Sequence, residues 1–102
     1  MHKLIALYHP PEDRRQFRDH LQNVHLPLVS VFPGLRAMRV GFEVASPARI
    51  SPYFAVVECD FDDEASMNAA LASPQGEAAS ADVPNYAATG VTILTFRVEL
   101  VL

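Results

Sequence analysis

The chain has 102 residues, the length of one compact domain, so we predict a single domain spanning residues 1–102. Its formal net charge is −4 and its eight Lys and Arg residues are scattered, which argues against nucleic acid and anionic membranes as partners. Half of the residues are apolar, a high share for so short a chain. One explanation is that extra apolar surface is buried against a second subunit.

Cysteine usage and hydropathy narrow the setting of the protein. Cys59 is the only cysteine, so a disulfide within the chain is impossible and a Cys-rich metal site is excluded. No apolar run is long enough to span a bilayer, and the start of the chain lacks the pattern of a secretory signal. We therefore predict a soluble protein of the cytoplasm.

The first third of the chain predicts a strand and a helix. A short apolar run at residues 3–9 predicts the strand, and Pro10 ends it. Asp13 precedes Gln16 by three residues, a spacing typical of a helix N-cap, and Pro33-Gly34 ends the helix. At about 100° per residue, the helix has one apolar stripe, made up of Phe17, His20, Leu21, Val24 and Leu28.

Two histidines flank this stripe. His20 lies at one edge and His25 at the other, about 140° apart around the axis of a regular helix. Pro27 has no N–H and its ring would meet the carbonyl of Asn23, so we expect the helix to bend or loosen there. The separation means that the two imidazoles cannot both be assumed to face one pocket.

The rest of the chain predicts three strands and a broken helical segment. Residues 35–44 alternate between apolar and polar side chains and predict an edge strand, whereas residues 53–61 are apolar on both parities and predict a central strand. Asp62 or Asp63 caps a helix over residues 64–72, and Ser73-Pro74 begins a second helix that reaches about Asp82. After a turn at residues 83–85, alternation over residues 91–102 predicts the last strand.

This order, β-α-β-β-α-β, predicts an α+β fold of the ferredoxin-like type, a four-stranded antiparallel sheet with helices on one face. The first and third strands should be central and the second and fourth at the edges. We expect the open face of the sheet to mix Arg39, Glu43, Arg97 and Glu99 with apolar residues. Such a face is too apolar to stay in water, so a second subunit should cover it.

Two stretches carry a resemblance to a known family. They are LYHPPEDRRQFRDHLQNVHLPLVSVFPGL, residues 7–35, and YFAVVECDFDDEASMNAALASPQGEAASADVPNYAATGV, residues 53–91. The motifs F-x-x-H-x-x-x-x-H-x-P-L and S-P-x-G-x-x-x-x-A-D-x-P-N-[FY] resemble the EthD-like family of the dimeric α+β barrel superfamily. Leu21 is a departure, because the family often has Tyr there, and any hydrogen bond from that Tyr into the pocket is lacking in this chain.

The resemblance implies a homodimer that packs its sheets face to face, with a pocket between each sheet and its helices. It implies a role in the degradation or tailoring of small organic molecules, since the family is named for the degradation of a fuel ether. Relatives in the superfamily include cofactor-independent monooxygenases, isomerases and cyclases. The family does not come with one agreed reaction.

The candidate catalytic residues are His25, His20 and Asp82. An imidazole titrates near neutral pH and can pass a proton in either direction, and Pro27 could tilt His25 toward a cavity. Asp82 could orient an imidazole. The alternative reading is structural for all three: a histidine that bonds a backbone carbonyl, and an aspartate that ties down the turn after it.

The candidate substrate-binding residues are Tyr8, Tyr86 and Leu28. A phenol could hold a carbonyl or enol oxygen, and Tyr8 ends a strand where a side chain can line a pocket mouth. Tyr8 could equally be a core aromatic residue.

No cofactor motif accompanies these residues. The glycines are isolated, so no nucleotide or phosphate loop is indicated, and His20 and His25 lack the spacing of a helical metal pair. Cys59 reads as core packing. We therefore predict a protein without cofactor or metal that binds a small apolar or aromatic compound. It is either an oxygenase, isomerase or cyclase using a histidine as general acid/base, or a non-catalytic binding or accessory subunit of an oxygenase system.

Overall fold

The computed structural model describes all 102 residues, and its elements follow the predicted order. The first helical segment contains a π-helical turn, and a 3-10 turn follows the last helix. The elements are β1 (His2–Tyr8), α1 (Arg14–His20), the π turn (Leu21–His25), α2 (Leu26–Ser30), β2 (Leu35–Phe42), β3 (Ala55–Phe61), α3 (Glu64–Ala72), α4 (Pro74–Asp82), the 3-10 turn (Val83–Asn85) and β4 (Val91–Arg97).

The four strands form one antiparallel sheet in the order β2-β3-β1-β4, which confirms the predicted fold class and the central positions of β1 and β3. Tyr8 is opposite Ala55 on one side and Val91 on the other. Tyr8 is therefore paired on both sides within the sheet, and its side chain packs in the core beneath the helices. None of the helices combines the length and the apolar character needed to cross a membrane.

The hydrophobic core lies between the helices and one face of the sheet. On this face β1 and β3 contribute alternate residues, and the helices contribute Phe17, Leu21 and Val29. Phe61 and Leu21 are the largest side chains that are fully buried. Val24 was predicted on the same stripe, but 42% of its surface is exposed because the π turn rotates it outward.

The orientation of β4 differs from the prediction. Ile93 lies on the helix side, because it lines the cavity there, so Arg97, of the same parity, also points to that side. Leu94 and Phe96 are consequently on the open face, 49% and 45% exposed. Alternation of apolar and polar residues shows that a strand has two different faces, but not which of them the helices cover. Arg97 can lie on the helix side because the helices do not cover that end of β4.

Two further predictions at the strand ends were wrong. β2 ends at Phe42, so Glu43 leaves the sheet with a positive φ of 54° and does not belong to its open face. β4 ends at Arg97, so Glu99 also lies beyond the sheet, where it accepts a hydrogen bond from Arg97. The open face is therefore more apolar than the sequence pattern indicated.

The predicted helix starts are confirmed by their caps. Asp13 accepts a hydrogen bond from the N–H of Gln16, and Asp63, one of the two predicted caps, accepts one from Ser66. Ser73 caps α4 by accepting from the N–H of Gly76, with Pro74 in the first turn. Ser73 has an extended backbone that separates α3 from α4, and α4 packs against α2.

Candidate functional site

Asp82, the last residue of α4, receives hydrogen bonds from both candidate histidines. The Nε2 atom of His20 is 2.9 Å from Oδ1 of Asp82, and the Nδ1 atom of His25 is 3.0 Å from Oδ2. The Nδ2 group of Asn85 donates a further hydrogen bond to Oδ1, over 3.1 Å. One buried carboxylate thus joins two imidazoles from the first helical segment and an amide from the 3-10 turn.

The π turn is what brings the two histidines to the same carboxylate. Its closing bond runs from the N–H of Leu26 to the carbonyl of Leu21, five residues back instead of four. His20 and His25 are themselves five residues apart, so the wider turn returns them to nearly the same side of the helix. The expected 140° separation was therefore wrong, whereas the loosening ahead of Pro27 is confirmed.

Burial and hydrogen bonding act in opposite directions on Asp82. Burial favours the neutral acid, but the hydrogen bonds from Asn85, His20 and His25 outweigh it and hold the pKa of the Asp82 carboxyl below its usual value. The group is therefore ionised at neutral pH. Because a carboxylate only accepts hydrogen bonds, each ring nitrogen that faces it must carry a proton.

His25 is the more buried of the two histidines, with 6% of its surface exposed. His20, which the sequence placed at the other edge of the apolar stripe, is only half-buried. Burial lowers the pKa of His25, and the hydrogen bond to Asp82 only partly offsets it, so the ring is neutral at pH 7. With the proton on Nδ1 facing Asp82, the Nε2 atom of His25 keeps a free lone pair.

His25 also lines a cavity of about 410 Å³ between the helices and the sheet. The lining is mostly apolar, and it includes Tyr8, Val29, Phe32, Phe61 and Ala79. The cavity opens to solvent between the α4 side and β4, where Pro84 and Ile93 are exposed. Since Nδ1 of His25 is held by Asp82, Nε2 is the ring nitrogen available to a molecule in the cavity.

Tyr8 and Tyr86 form the polar boundary beside His25. Their hydroxyl oxygens are 2.6 Å apart, within a hydrogen bond that either can donate. Burial raises the pKa of both phenols, so both keep their protons at neutral pH. The ring of Tyr86 stacks on His20 at 5.1 Å between centroids and packs against His25 at 4.8 Å.

The remaining predicted residues have different surroundings. Leu28 is half-buried and packs against the core, but it does not line the cavity. Cys59 does line the cavity, as part of the central strand β3. Burial raises the pKa of its thiol to about 11, so it is protonated and unreactive at neutral pH.

One contributor was not singled out from the sequence. Asn85 follows Asp82 by three residues, and its amide completes the set of donors around the carboxylate. The quoted motif A-D-x-P-N contains both residues, so the three-residue spacing at a helix end was the available signal. The sequence left two readings of Asp82 open, as a partner for an imidazole and as a residue that ties down the turn, and its contacts with the two histidines and with Asn85 correspond to both.

The chain belongs to the EthD family. The family model described as EthD domain matches residues 9–90, which covers most of the chain and all of the cluster around Asp82. An uncharacterized 11.0 kDa protein from the thcB-thcC intergenic region of Rhodococcus erythropolis is 32% identical over 102 residues, all of this chain and 99% of that protein.

Solved structures agree with this assignment. A crystal structure of an EthD family protein from Bacillus halodurans is 36% identical, with a TM-score of 0.90 over 97% of this chain and 99% of that one. A dimeric ferredoxin-like protein of unknown function from Thermobifida fusca is 19% identical, with a TM-score of 0.72 over 95% of this chain and 90% of that one. The second similarity establishes the fold alone.

Proposed function

We propose that this EthD family protein is an enzyme that converts a small apolar or aromatic compound without a cofactor, with His25 as general acid/base. The reaction would be an oxygenation, isomerisation or cyclisation in the degradation or tailoring of small organic molecules. One observation carries the proposal: His25 is fixed by a carboxylate on one ring nitrogen, which leaves the other free, and its side chain lines an apolar cavity.

The protonation state of His25 supports this role. A general base must be neutral before it receives a proton, and burial lowers the pKa of His25, which keeps it neutral at pH 7. When Nε2 gains a proton, the imidazolium is stabilised by the ionised Asp82 at 3.0 Å. Asp82 therefore acts as a positioning residue that also favours the charged form of the base once the proton has moved.

His20 contributes from the other side of the carboxylate. Its side chain is 24% exposed, and it borders the solvent-facing surface of α1, not the cavity. We assign it a positioning role: it holds Asp82 and stacks on Tyr86. This division gives the two histidines different functions, although they share one partner.

We further propose that the protein works as a homodimer joined through the open face of the sheet. The face exposes Leu94 and Phe96 beside Ile5 and Leu7 of β1, a patch that water covers unfavourably. The Thermobifida fusca neighbour is described as dimeric. The buried, unpaired thiol of Cys59 fits the reducing cytoplasm as the setting of such an enzyme.

The test is turnover by His25→Gln on a panel of aromatic and enolisable compounds. Loss of the general base should lower the rate about 10²–10⁴-fold, because positioned proton transfer contributes that much. His9→Gln is the control, since His9 packs on Tyr53 outside the cavity. Full turnover by His25→Gln would remove this residue from the mechanism, and ligands recovered unchanged in every case would favour the non-catalytic binding subunit.

A further inference from the structure

Two buried hydrogen-bonding side chains of the cavity lie close together. Tyr8 and His25 both border the cavity, and both pack against the ring of Tyr86, at 5.7 Å and 4.8 Å between ring centroids. The other walls, from Leu4 on β1 to Phe61 on β3, are apolar apart from Ser80, which is exposed to solvent on α4. A ligand that matches this lining has one polar group, which faces Tyr8 and His25, and a hydrocarbon body, which contacts the apolar walls.

The charge of the lining restricts the ligand further. The cavity walls contain no Lys, Arg, Asp or Glu, and His25 is neutral at pH 7. A carboxylate or an ammonium group entering this cavity would lose its hydration without gaining a counterion, which costs several kcal/mol or more. The fitting ligand is therefore uncharged.

The cavity is larger than a single aromatic ring requires. A cavity of about 150 Å³ accepts benzene, whereas this one measures about 410 Å³ and lies at the small end of the range for ligand pockets. A compact body of two fused rings suits this volume and leaves room for movement toward the opening.

Only one direction of the Tyr8–Tyr86 hydrogen bond leaves a proton for a ligand in the cavity. Each tyrosine has one proton to donate, and the O–O distance of 2.6 Å uses one of the two. Tyr8 borders the cavity and Tyr86 does not. If Tyr86 donates to Tyr8, the proton of Tyr8 is free to point at an oxygen in the cavity, and the donor chain runs from Tyr86 through Tyr8 to the ligand.

We propose that the site enolises a neutral, compact, largely hydrocarbon ketone of about two-ring size. This inference rests on the proposed function of His25 and names its substrate class. Tyr8 donates its hydroxyl proton in a hydrogen bond to the ketone oxygen, while Nε2 of His25 removes a proton from the adjacent carbon. The electron pair of the broken C–H bond forms the enolate double bond, and the negative charge moves to the oxygen facing Tyr8.

The same residues complete the reaction. The imidazolium of His25 returns its proton to the original carbon or, where the ketone also carries a C=C bond conjugated with the enolate, to the far carbon of that bond. The carbonyl forms again in both routes, and in the second route the C=C bond shifts. Protons and electrons balance within the ligand and His25. The product of the second route is an isomer of the starting ketone.

β-Tetralone is a suitable probe because it is neutral, bicyclic and enolisable. We expect the wild-type protein to speed deuterium incorporation from heavy water next to the carbonyl, measured by NMR against buffer alone. Tyr8→Phe should reduce this rate about 10²–10³-fold, the usual effect of removing one oxyanion donor, and His25→Gln about 10²–10⁴-fold. Tyr86→Phe preserves Tyr8 and should give a smaller loss, which keeps the test valid if Tyr8→Phe fails to fold.

Ligand binding supplies the matched controls. Tetralin has the same skeleton without the oxygen, so it should bind about two- to tenfold more weakly than β-tetralone, and Tyr8→Phe should not change its affinity. The tetralin carboxylate should bind more weakly still. Tetralin binding as tight as the ketone, tighter binding of the carboxylate, or undiminished exchange in both tyrosine variants would overturn the inference.

The two proposals fail in different ways. The wild-type protein could fail to exchange β-tetralone and still turn over another compound of the panel, with His25→Gln abolishing that turnover. This result would overturn the ketone as substrate class but would leave the proposal that His25 is the general acid/base. Retained exchange or turnover in a folded His25→Gln would overturn both proposals.

Discussion

Asp82 lies where a helix is least able to stabilise a carboxylate. The carbonyl dipoles at the C-terminal end of α4 repel a negative charge, and Asp82 is also buried. Three donors, from His20, His25 and Asn85, compensate for this position. Such a costly arrangement is typical of a group whose charge is used, and this is the physical reason for treating Asp82 as more than a residue of the turn.

The lowered pKa of His25 predicts a pH dependence of stability. Below its ordinary value of 6.5 the unfolded chain protonates His25 more readily than the folded chain does, so stability falls as pH drops from 6.5 toward the folded pKa. The His25 contribution to the free energy of unfolding should fall by at most about 1.4 kcal/mol per pH unit in this window. Urea unfolding between pH 8 and pH 5 measures the slope.

His25→Gln should show a shallower slope than the wild type in that window, because glutamine does not titrate. His9→Gln controls for the loss of a histidine elsewhere in the chain. An identical slope in His25→Gln and the wild type would mean that burial does not disfavour the charged ring.

At this scale the sequence pattern indicated the right residues but not their contacts. His20, His25 and Asp82 stand out by type, and the structure brings all three together. Their contacts span 62 and 57 residues, so they depend on how α4 packs against the first helical segment. The apolar periodicity was interpreted for a regular α-helix, and it does not reveal that the hydrogen bonds shift by one residue in the π turn. Pro27 was the only signal of an irregularity there.

At the level of elements, local signals were sufficient where a cap or a breaker fixes the backbone. Ser73, Pro74 and Asp63 each place a helix start through a side chain or a missing N–H that acts within a few residues. The facing of β4 was wrong for the opposite reason. Both faces of β4 are partly apolar, so the strand's own residues do not show which face the helices cover. How far the helices extend over the edge of the sheet depends on tertiary packing.

The junction of α3 and α4 depends on a glycine. A Cβ atom on Gly76 would clash with the carbonyl oxygens of Leu71 and Ala70. Both contacts are with backbone, so neither can be relieved by a rotamer change. Alanine is otherwise the better helix former by about 1 kcal/mol, so propensity and packing make opposite predictions here.

We expect packing to prevail, so Gly76→Ala should destabilise the protein by about 1–3 kcal/mol, the usual cost of forcing an atom into a filled space. Because Gly76 also borders the cavity, ligand affinity should fall with stability. Ala78→Ser, on the exposed side of α4, is the control and should change the unfolding free energy by less than about 0.5 kcal/mol. A stabilised Gly76→Ala would indicate that the two helices can separate at little cost.

For the whole molecule, the open face of the sheet combines an apolar patch with paired charges. Leu94 and Phe96 lie next to Ile5 on neighbouring strands. Toward β3, the Nζ atom of Lys3 is 2.6 Å from Glu58, and Asp60 is held by Arg39 at 3.1 Å. Charges that are already paired can be covered by a partner at a smaller penalty than isolated ones, so this face can be buried as a whole.

The proposed dimer predicts that Phe96→Lys separates the subunits. Phe96 is 45% exposed in the single chain, and in a two-fold interface each substitution is present twice. Losing about 1.5–3 kcal/mol of burial per side amounts to about 3–6 kcal/mol, which raises the dissociation constant about 10²–10⁴-fold. Light scattering at micromolar concentration should therefore find a dimer for the wild type and a monomer for the variant.

Ile50→Lys, in the exposed loop before β3, is the control: it also replaces an apolar residue with lysine, but away from the sheet, and it should remain dimeric. A monomeric wild type would contradict the proposed interface, and a dimeric Phe96→Lys would move it to another surface, because a lysine on each side of a buried two-fold contact leaves two unpaired charges there.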